Sequence, residues 1–244
     1  MKKKEIEEKL YKFKTRPDNY KFTEKWNEIH LPSWNELFNN NYEHTDKIRN
    51  ILEVGCYEGF TTMYLCDNFL KPGVVYDVID TFEGTIDEPG METAKALVKY
   101  NNYIEENFNN NISYHPDINF RQYKGYSQTI LPKLWELGNK YDLIFIDASH
   151  QSDDTFVDAY YCHKMLNING LMIFDDYDWV FPGHLWKYEV PKHGIDFFLN
   201  DMYASSYIQN WSNGYQKFLM KNELENGKKF IIEKYKEEKN GNKN

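Results

Sequence analysis

With 244 residues, 41% of them hydrophobic, the chain is long enough to bury one sizeable core and too short for two full α/β domains. Its net charge is −9, and its basic residues gather at the ends, in MKKKEIEEKL and KKFIIEKYKEEKNGNKN, where glutamates largely offset them; this argues against a nucleic-acid substrate, which needs a basic surface over the site. No apolar run approaches the roughly 18 residues of a membrane span, the charged amino terminus lacks a signal-peptide core, and three unevenly spaced cysteines (Cys56, Cys66, Cys162) without a CxxC point to a reducing cytoplasm.

Residues 2–14 carry helix formers and charge pairs. Residues 16–45, with Pro17, Pro32 and the run NNNYEH, predict a cap of short helices and loops before the first core strand. The stretch ILEVGCYEG, Ile51 to Gly59, then combines an apolar run, an acid and two glycines four residues apart. It predicts a strand, a tight turn and a helix over residues 63–70 that Thr61 or Thr62 can cap. In a doubly wound sheet a nucleotide-like cofactor lies on such a turn, because glycines let it approach the backbone. The pattern is not GxGxxG, and Glu53 and Glu58 put carboxylates where a dinucleotide's pyrophosphate would sit. An adenosine with a cationic tail, as in S-adenosylmethionine, fits these acids better; a purely structural glycine turn is the alternative.

VVYDVID, residues 74–80, predicts a second strand ending in Asp80, 21 residues beyond Gly59. An acid at that distance can accept both ribose hydroxyls, or it can simply open the turn-rich loop TFEGTIDEPG. A helix over residues 92–108 follows. NFRQYKGYS, residues 119–127, alternates like a strand, and residues 131–137 continue as helix, with Pro132 in its first turn.

YDLIFIDASH, residues 141–150, reads as a buried strand delivering Asp147 and His150 past its end. GLMIFDDYDW, residues 170–179, is another and delivers Asp175 and Asp176. Between them residues 153–166 repeat apolar positions at helical spacing, which makes His163 a packed or surface histidine. Ligands of open α/β sheets bind outside the carboxyl ends of the strands, so these acids are expected on one rim with Glu53 and Asp80. Three carboxylates crowded there raise one another's pKa unless a cation holds them, and hard oxygen ligands suit Mg²⁺, with Ca²⁺ or Mn²⁺ as alternatives. The alternative is solvated strand-end acids. The Pro- and Gly-rich segment after Trp179, with His184, Trp186 and His193, reads as a substrate mouth. Residues 196–203 predict a helix, and SSYIQNW with GYQKFLMK a terminal hairpin around Asn213. Aromatics make up 17% of the chain; those beside motifs, Tyr57, Phe82, Tyr126, Tyr177 and Trp179, serve a pocket wall or the core equally well.

With these motifs the chain resembles class I S-adenosylmethionine-dependent methyltransferases of the small-molecule O-methyltransferase kind, in particular the catechol and macrocin O-methyltransferase branches. The likeness covers roughly residues 48–221. It implies a Rossmann-like α/β sheet of seven strands in the order 3-2-1-4-5-7-6, the last antiparallel, with helices on both faces. It divides the chain into an amino-terminal cap (1–47), a methyltransferase domain (48–221) and a charged tail (222–244). In those branches one acid after the fourth strand and an adjacent pair after the fifth hold magnesium; here these are Asp147 and, 28 residues on, Asp175 with Asp176. The implied cofactor contacts are Glu53, Gly55, Tyr57, Gly59, Asp80, Thr81, Phe82 and Asp147, with Gly125, Tyr126 and Ser127 at the adenine.

The sequence departs from the family at the base. The catechol branch has a lysine three residues after the first metal acid and the macrocin branch an acid two residues after it, whereas this chain has His150 and Ser149. Sugar-acting relatives often carry a DxxH run like this one, so His150, beside Asp147, is the catalytic candidate. The third glycine of the family's first motif is replaced by Tyr57. The implied reaction is methyl transfer to a hydroxyl of a small molecule, a sugar or a phenol, with Mg²⁺; the amino-terminal extension covers the site or builds a dimer contact in such families, so a homo-oligomer is compatible. Alternatives are a metal-independent methyltransferase acting on nitrogen or carboxylate, and a non-catalytic binding protein of the same fold.

Overall fold

The computed structural model describes residues 19–84, 103–178, 190–203, 207–212 and 215–221. Seven strands form one sheet: β1 (Asn50–Val54), β2 (Val75–Asp80), β3 (Asn119–Lys124), β4 (Tyr141–Ile146), β5 (Leu166–Phe174), β6 (Tyr207–Ser212) and β7 (Lys217–Lys221), in the order β3-β2-β1-β4-β5-β7-β6. Strand β7 is antiparallel to both β5 and β6, so the hairpin read from the sequence supplies the antiparallel member. Its tip, with Asn213, lies outside the described residues. The expected order and handedness of pairing are therefore those of the protein.

The chain divides into two compact units, residues 1–130 and 131–244. In the first, β1, β2 and β3 pair in parallel, Glu53 opposite Val78 and Asp77 opposite Arg121. Ile51, Leu52, Val54, Tyr76 and Val78 are wholly buried, as continuous apolar runs in a parallel sheet must be. Strand β3 is polar and largely exposed, as suits an edge. Arg121 fastens it by gripping the fully buried Asp77 with two bonds, Nε to Oδ1 at 2.5 Å and an NH₂ to Oδ2 at 2.8 Å. In the second unit, β4 and β5 pair in parallel around Ile144, Phe145, Met172 and Ile173, all at zero exposure.

Short helical turns cover residues 26–41, ending α1 (Leu31–Glu36) in a π-helical turn, as expected of the cap. Then come α2 (Phe60–Asn68), α3 (Tyr103–Ile112), α4 (Ser127–Glu136), α5 (Ser152–Met165) and α6 (Pro191–Asp196), the last continuing as a π-helical stretch over Phe197–Tyr203. Two helices start earlier than the sequence suggests. Helix α2 begins at Phe60, and its N-cap is Gly59 rather than a threonine, because Thr61 and Thr62 spend their hydroxyls on tertiary bonds. Helix α4 begins at Ser127 and carries Pro132 inside it; burial of Leu131 and Leu134 compensates for the bond that Pro132 cannot donate. Helix α3 runs four residues past the expected end, and residues 92–102 lie outside the described set. Among the described residues no helix is long and apolar enough to cross a membrane.

Gly59 has φ +81°, and a Cβ there would lie 2.9 Å from Cδ2 of Phe108. Gly59→Ala is therefore expected to lower unfolding free energy by about 2 kcal/mol through left-handed strain and crowding combined. Urea titration checks this, and an unchanged midpoint would show that the turn relaxes freely.

Candidate active site

Between β1 and α2 the backbone turns back on itself through three left-handed residues, Gly55 (φ +84°), Tyr57 (φ +49°) and Gly59 (φ +81°). For Tyr57 this conformation is costly and must be held by its surroundings. Asp80 holds it. At the carboxyl end of β2, its Oδ2 accepts the backbone N–H groups of Cys56 and Tyr57, both at 2.8 Å, and its Oδ1 accepts that of Phe82 at 2.6 Å. Backbone bonds from Gly55 to Ile79 and from Gly125 to Asp80 complete the knot. Burial raises the Asp80 carboxyl above its ordinary range, and the amide bonds work against that rise. Asp80, read from the sequence as a ribose ligand, thus lies at the end of β2 with both carboxylate oxygens accepting backbone N–H groups that organise the turn.

Glu53 lies under the turn at 1% exposure, its Oε2 accepting from Thr62 Oγ1 and Tyr76 Oη, each at 2.7 Å. Burial pushes its carboxyl up to about 7, against the opposing pull of those two bonds. It supports the turn from inside and does not open on it. Glu58, also at 1% exposure, is enclosed as well. Phe82, read as a pocket neighbour, is 2% exposed and packs on Phe108. Thr81 Oγ1 accepts the N–H of Glu83. At the end of β3, Gly125 has φ +142°, Tyr126 is exposed and Ser127 is buried as the first residue of α4.

In the second unit, Asp147 and His150 follow β4, and Asp175 and Asp176 follow β5. One ligand atom from each of Asp147, His150 and Asp176 lies within 4.8 Å of the others. His150 Nε2 stands 2.9 Å from Asp176 Oδ2. Of the acids read from the sequence as metal ligands, Asp147 and Asp176 meet in this cluster, with His150 as its third member. Successive residues at a strand end point to opposite sides. Asp175 continues the ladder through its N–H to Ile146 and accepts Gln216 Nε2 at 3.1 Å, whereas Asp176 adopts φ +54° and turns to His150. Tyr177 is engaged elsewhere, donating to Asp196 between the ammonium groups of Lys192 and Lys217. His163 is a packed residue: burial, with the charges of Lys221, Lys164 and Lys140, lowers it to about 3. Trp179, His184 and Trp186 lie outside the described residues, and His193 is exposed on α6.

Residues that the motifs did not single out also meet the turn. Trp26 packs on Tyr57 with ring centroids 4.9 Å apart and planes tilted by 49°, Tyr103 Oη lies 3.2 Å from Tyr57 Oη, and Thr23 bonds Glu58. Separations of 31 to 46 residues without periodicity leave no local signal for such contacts.

A left-handed turn knotted at the ends of β1 and β2, in a sheet closed by an antiparallel β7, defines a class I methyltransferase fold. The chain belongs to the methyltransferase-domain family, whose model matches residues 52–177 of the 244. Among solved structures it is similar to the O-methyltransferase NovP (14% identity, 80% of each chain, TM-score 0.53). It is similar also to the calicheamicin methyltransferase CalS11 (15%, 89% of this chain and 91% of that one, TM-score 0.53). A third is MycE of the mycinamycin biosynthetic pathway, solved with Mg, S-adenosylhomocysteine and mycinamycin VI (12%, 89% of this chain and 54% of that one, TM-score 0.51). A sequence comparison with curated proteins finds no match.

The buried Glu53 makes stability depend on pH. Its carboxyl titrates at 4.5 ordinarily and at about 7 when folded, so the native state holds the proton more tightly. Its stabilising contribution is full below 4.5 and is lost as pH rises through 7, about 3 kcal/mol in all. Glu53→Gln keeps an oxygen for Thr62 and Tyr76 and cannot titrate. Denaturation of both proteins from pH 4.5 to 8 should show wild type losing stability relative to the variant; a constant difference would contradict the raised pKa.

Proposed function

We propose that the protein transfers a methyl group from S-adenosylmethionine to a hydroxyl of a small molecule, a sugar or a phenol. The observation that carries the reading is the Asp80-knotted turn in a chain of the methyltransferase-domain family. Its glycines admit a cofactor close to the backbone, and the Glu58 carboxylate disfavours the pyrophosphate of a nicotinamide cofactor. Gly55, Tyr57 and Gly59 would hold the cofactor at the turn, Asp80 through its remaining lone pair with Thr81 at the ribose, and residues 125–127 at the adenine. When bound, S-adenosylmethionine supplies a methyl already activated on a cationic sulfur.

What remains for the chain is to align the acceptor and remove its proton. His150 is the residue proposed for this. Its Nε2–H donates to Asp176 Oδ2, which leaves Nδ1 as the basic nitrogen of that tautomer, and the Asp176 carboxylate stabilises the imidazolium that forms. The donor set of two carboxylates and an imidazole fits a divalent cation, and Asp147 with Asp176 would hold Mg²⁺, which would lower the pKa of an acceptor hydroxyl. A metal-independent reading is favoured by one specific feature, the His150–Asp176 pair, which is itself a complete base with its orienting carboxylate. Buried thiols at all three cysteines suit the reducing cytoplasm proposed as its setting.

Calorimetry should show S-adenosylhomocysteine binding and no NAD binding, with Asp80→Ala weakening the former at least tenfold, about 1.4 kcal/mol. Binding of NAD alone would overturn the reading. On glycoside and catechol acceptors, His150→Ala should lower kcat by about 10²–10⁴ while cofactor affinity stays unchanged. EDTA separates the two forms of the mechanism: loss of turnover restored by Mg²⁺ supports the cation, and full turnover in EDTA leaves the dyad alone.

A further inference from the structure

Residues 20–27 pack against helices α2 and α3 and touch the turn itself at two points, Thr23 on Glu58 and Trp26 on Tyr57. Tyr20 Oη donates to Asp67 Oδ1 at 3.2 Å and meets His115 Nε2 at 2.8 Å. Lys21 gives its N–H to Asn111 Oδ1 and takes the Asn111 amide on its carbonyl, while the same amide reaches the carbonyl of Glu58. Phe22 packs edge-on against Phe60, Trp26 packs at a tilt on Tyr57, and Asn27 donates to Thr61. At the centre is Glu58. Its Oε2 accepts the N–H of Thr23 at 2.6 Å, the Thr23 hydroxyl reaches both carboxylate oxygens at 3.0 and 3.1 Å, and Asn107 Nδ2 donates to Oε1 at 2.8 Å.

A carboxylate at 1% exposure whose described partners are neutral donors is an unusual choice for a purely structural contact, because burying its charge is costly unless every lone pair is served. Two of the donor groups that serve it belong to Thr23. Closing the segment is therefore what allows Glu58 to be buried, and opening it returns the carboxylate to water, where it is well solvated. Charge-assisted bonds of this kind are strong yet exchange readily for water, which is the behaviour of a latch. The same segment carries Trp26, whose ring is 53% exposed and held on Tyr57, in the middle of the turn.

We propose that Glu58 is a positioning residue that latches residues 20–27 across the turn, and that this strap sets how long S-adenosylmethionine and its product stay bound. The inference rests on the cofactor reading above. Glu58 touches neither cofactor nor acceptor; it acts through Thr23 and, by way of the strap, through Trp26 on Tyr57.

The test uses the full chain with Glu58→Ala, Glu58→Gln and Thr23→Val, reading S-adenosylhomocysteine affinity by calorimetry, its dissociation rate by displacement, and the fold by circular dichroism. Glu58→Ala and Thr23→Val should each raise the dissociation rate about tenfold and the KM for S-adenosylmethionine with it, without lowering kcat. Glu58→Gln, which keeps an acceptor oxygen for the Thr23 N–H, should recover most of the loss. The double variant Glu58→Ala/Thr23→Val should be no worse than either single one, since both break the same contact. Dissociation within twofold of wild type in folded Thr23→Val overturns the latch even where Glu58→Ala does not fold. Wild type that fails to bind S-adenosylhomocysteine overturns the cofactor reading and the latch with it, whereas wild type that binds normally beside unaffected variants overturns the latch alone.

Discussion

The carboxylate of Asp80 is the constraint on which the first unit is built. A chain leaving β1 must reverse within five residues to start α2, and it does so through left-handed backbone at Gly55, Tyr57 and Gly59. Reversal leaves the N–H groups of Cys56 and Tyr57 directed inward, where an unpaired donor costs about 1–3 kcal/mol. One oxygen of Asp80 takes both, and the other takes Phe82, which begins the loop after β2. A single side chain thus joins the ends of two parallel strands and fixes the shape presented to a ligand. The strained Tyr57 is affordable only because this knot surrounds it.

Around the knot, acids are placed by layer. Glu53 lies beneath, bonded to Thr62 of α2 and Tyr76 of β2, and its raised pKa records how completely water is excluded there. Glu58 lies beside the turn and is served by Thr23 and Asn107. Because Glu53 holds its proton up to about pH 7, the negative field that argues for a cationic cofactor comes chiefly from the Glu58 carboxylate, which the protein itself has already bonded. Selectivity by charge does not need contact: a carboxylate a few ångströms away in a low-dielectric surrounding repels a pyrophosphate and tolerates a sulfonium.

The sheet was legible in the sequence because parallel strands buried on both faces read as predominantly apolar runs, and ILEV, VYDVI, YDLIFI and LMIF do, each carrying at most one acid. Strand order followed from the family resemblance. Helix starts were less legible. A threonine after a glycine reads as a cap, but Thr62 answers to Glu53 and Thr61 to Asn27, contacts that no local pattern announces. Side-chain partners were not legible where they turn on one step of register. Asp175 and Asp176 are chemically identical in sequence, and only the left-handed φ of Asp176 sends it to His150 while its neighbour keeps the strand's path to Gln216. The strap was invisible for a different reason: Thr23 and Glu58 are 35 residues apart, and each is unremarkable in its own window.

The His150–Asp176 pair shows why that register step matters for chemistry. A histidine is a useful base near neutral pH only when its tautomer is fixed and its cation is stabilised. An aspartate continuing in extended conformation would point away from the loop after β4, as Asp175 does. A left-handed residue two positions past the end of β5 brings a carboxylate to 2.9 Å from the imidazole, at the cost of about 1–3 kcal/mol of backbone strain. In an aspartate that strain is smaller than in most residues, because its short side chain tolerates the left-handed region. Adjacent acids after a buried strand thus divide the work by geometry: the first ties the end of β5 to Gln216 beside β7, and the second is released to His150.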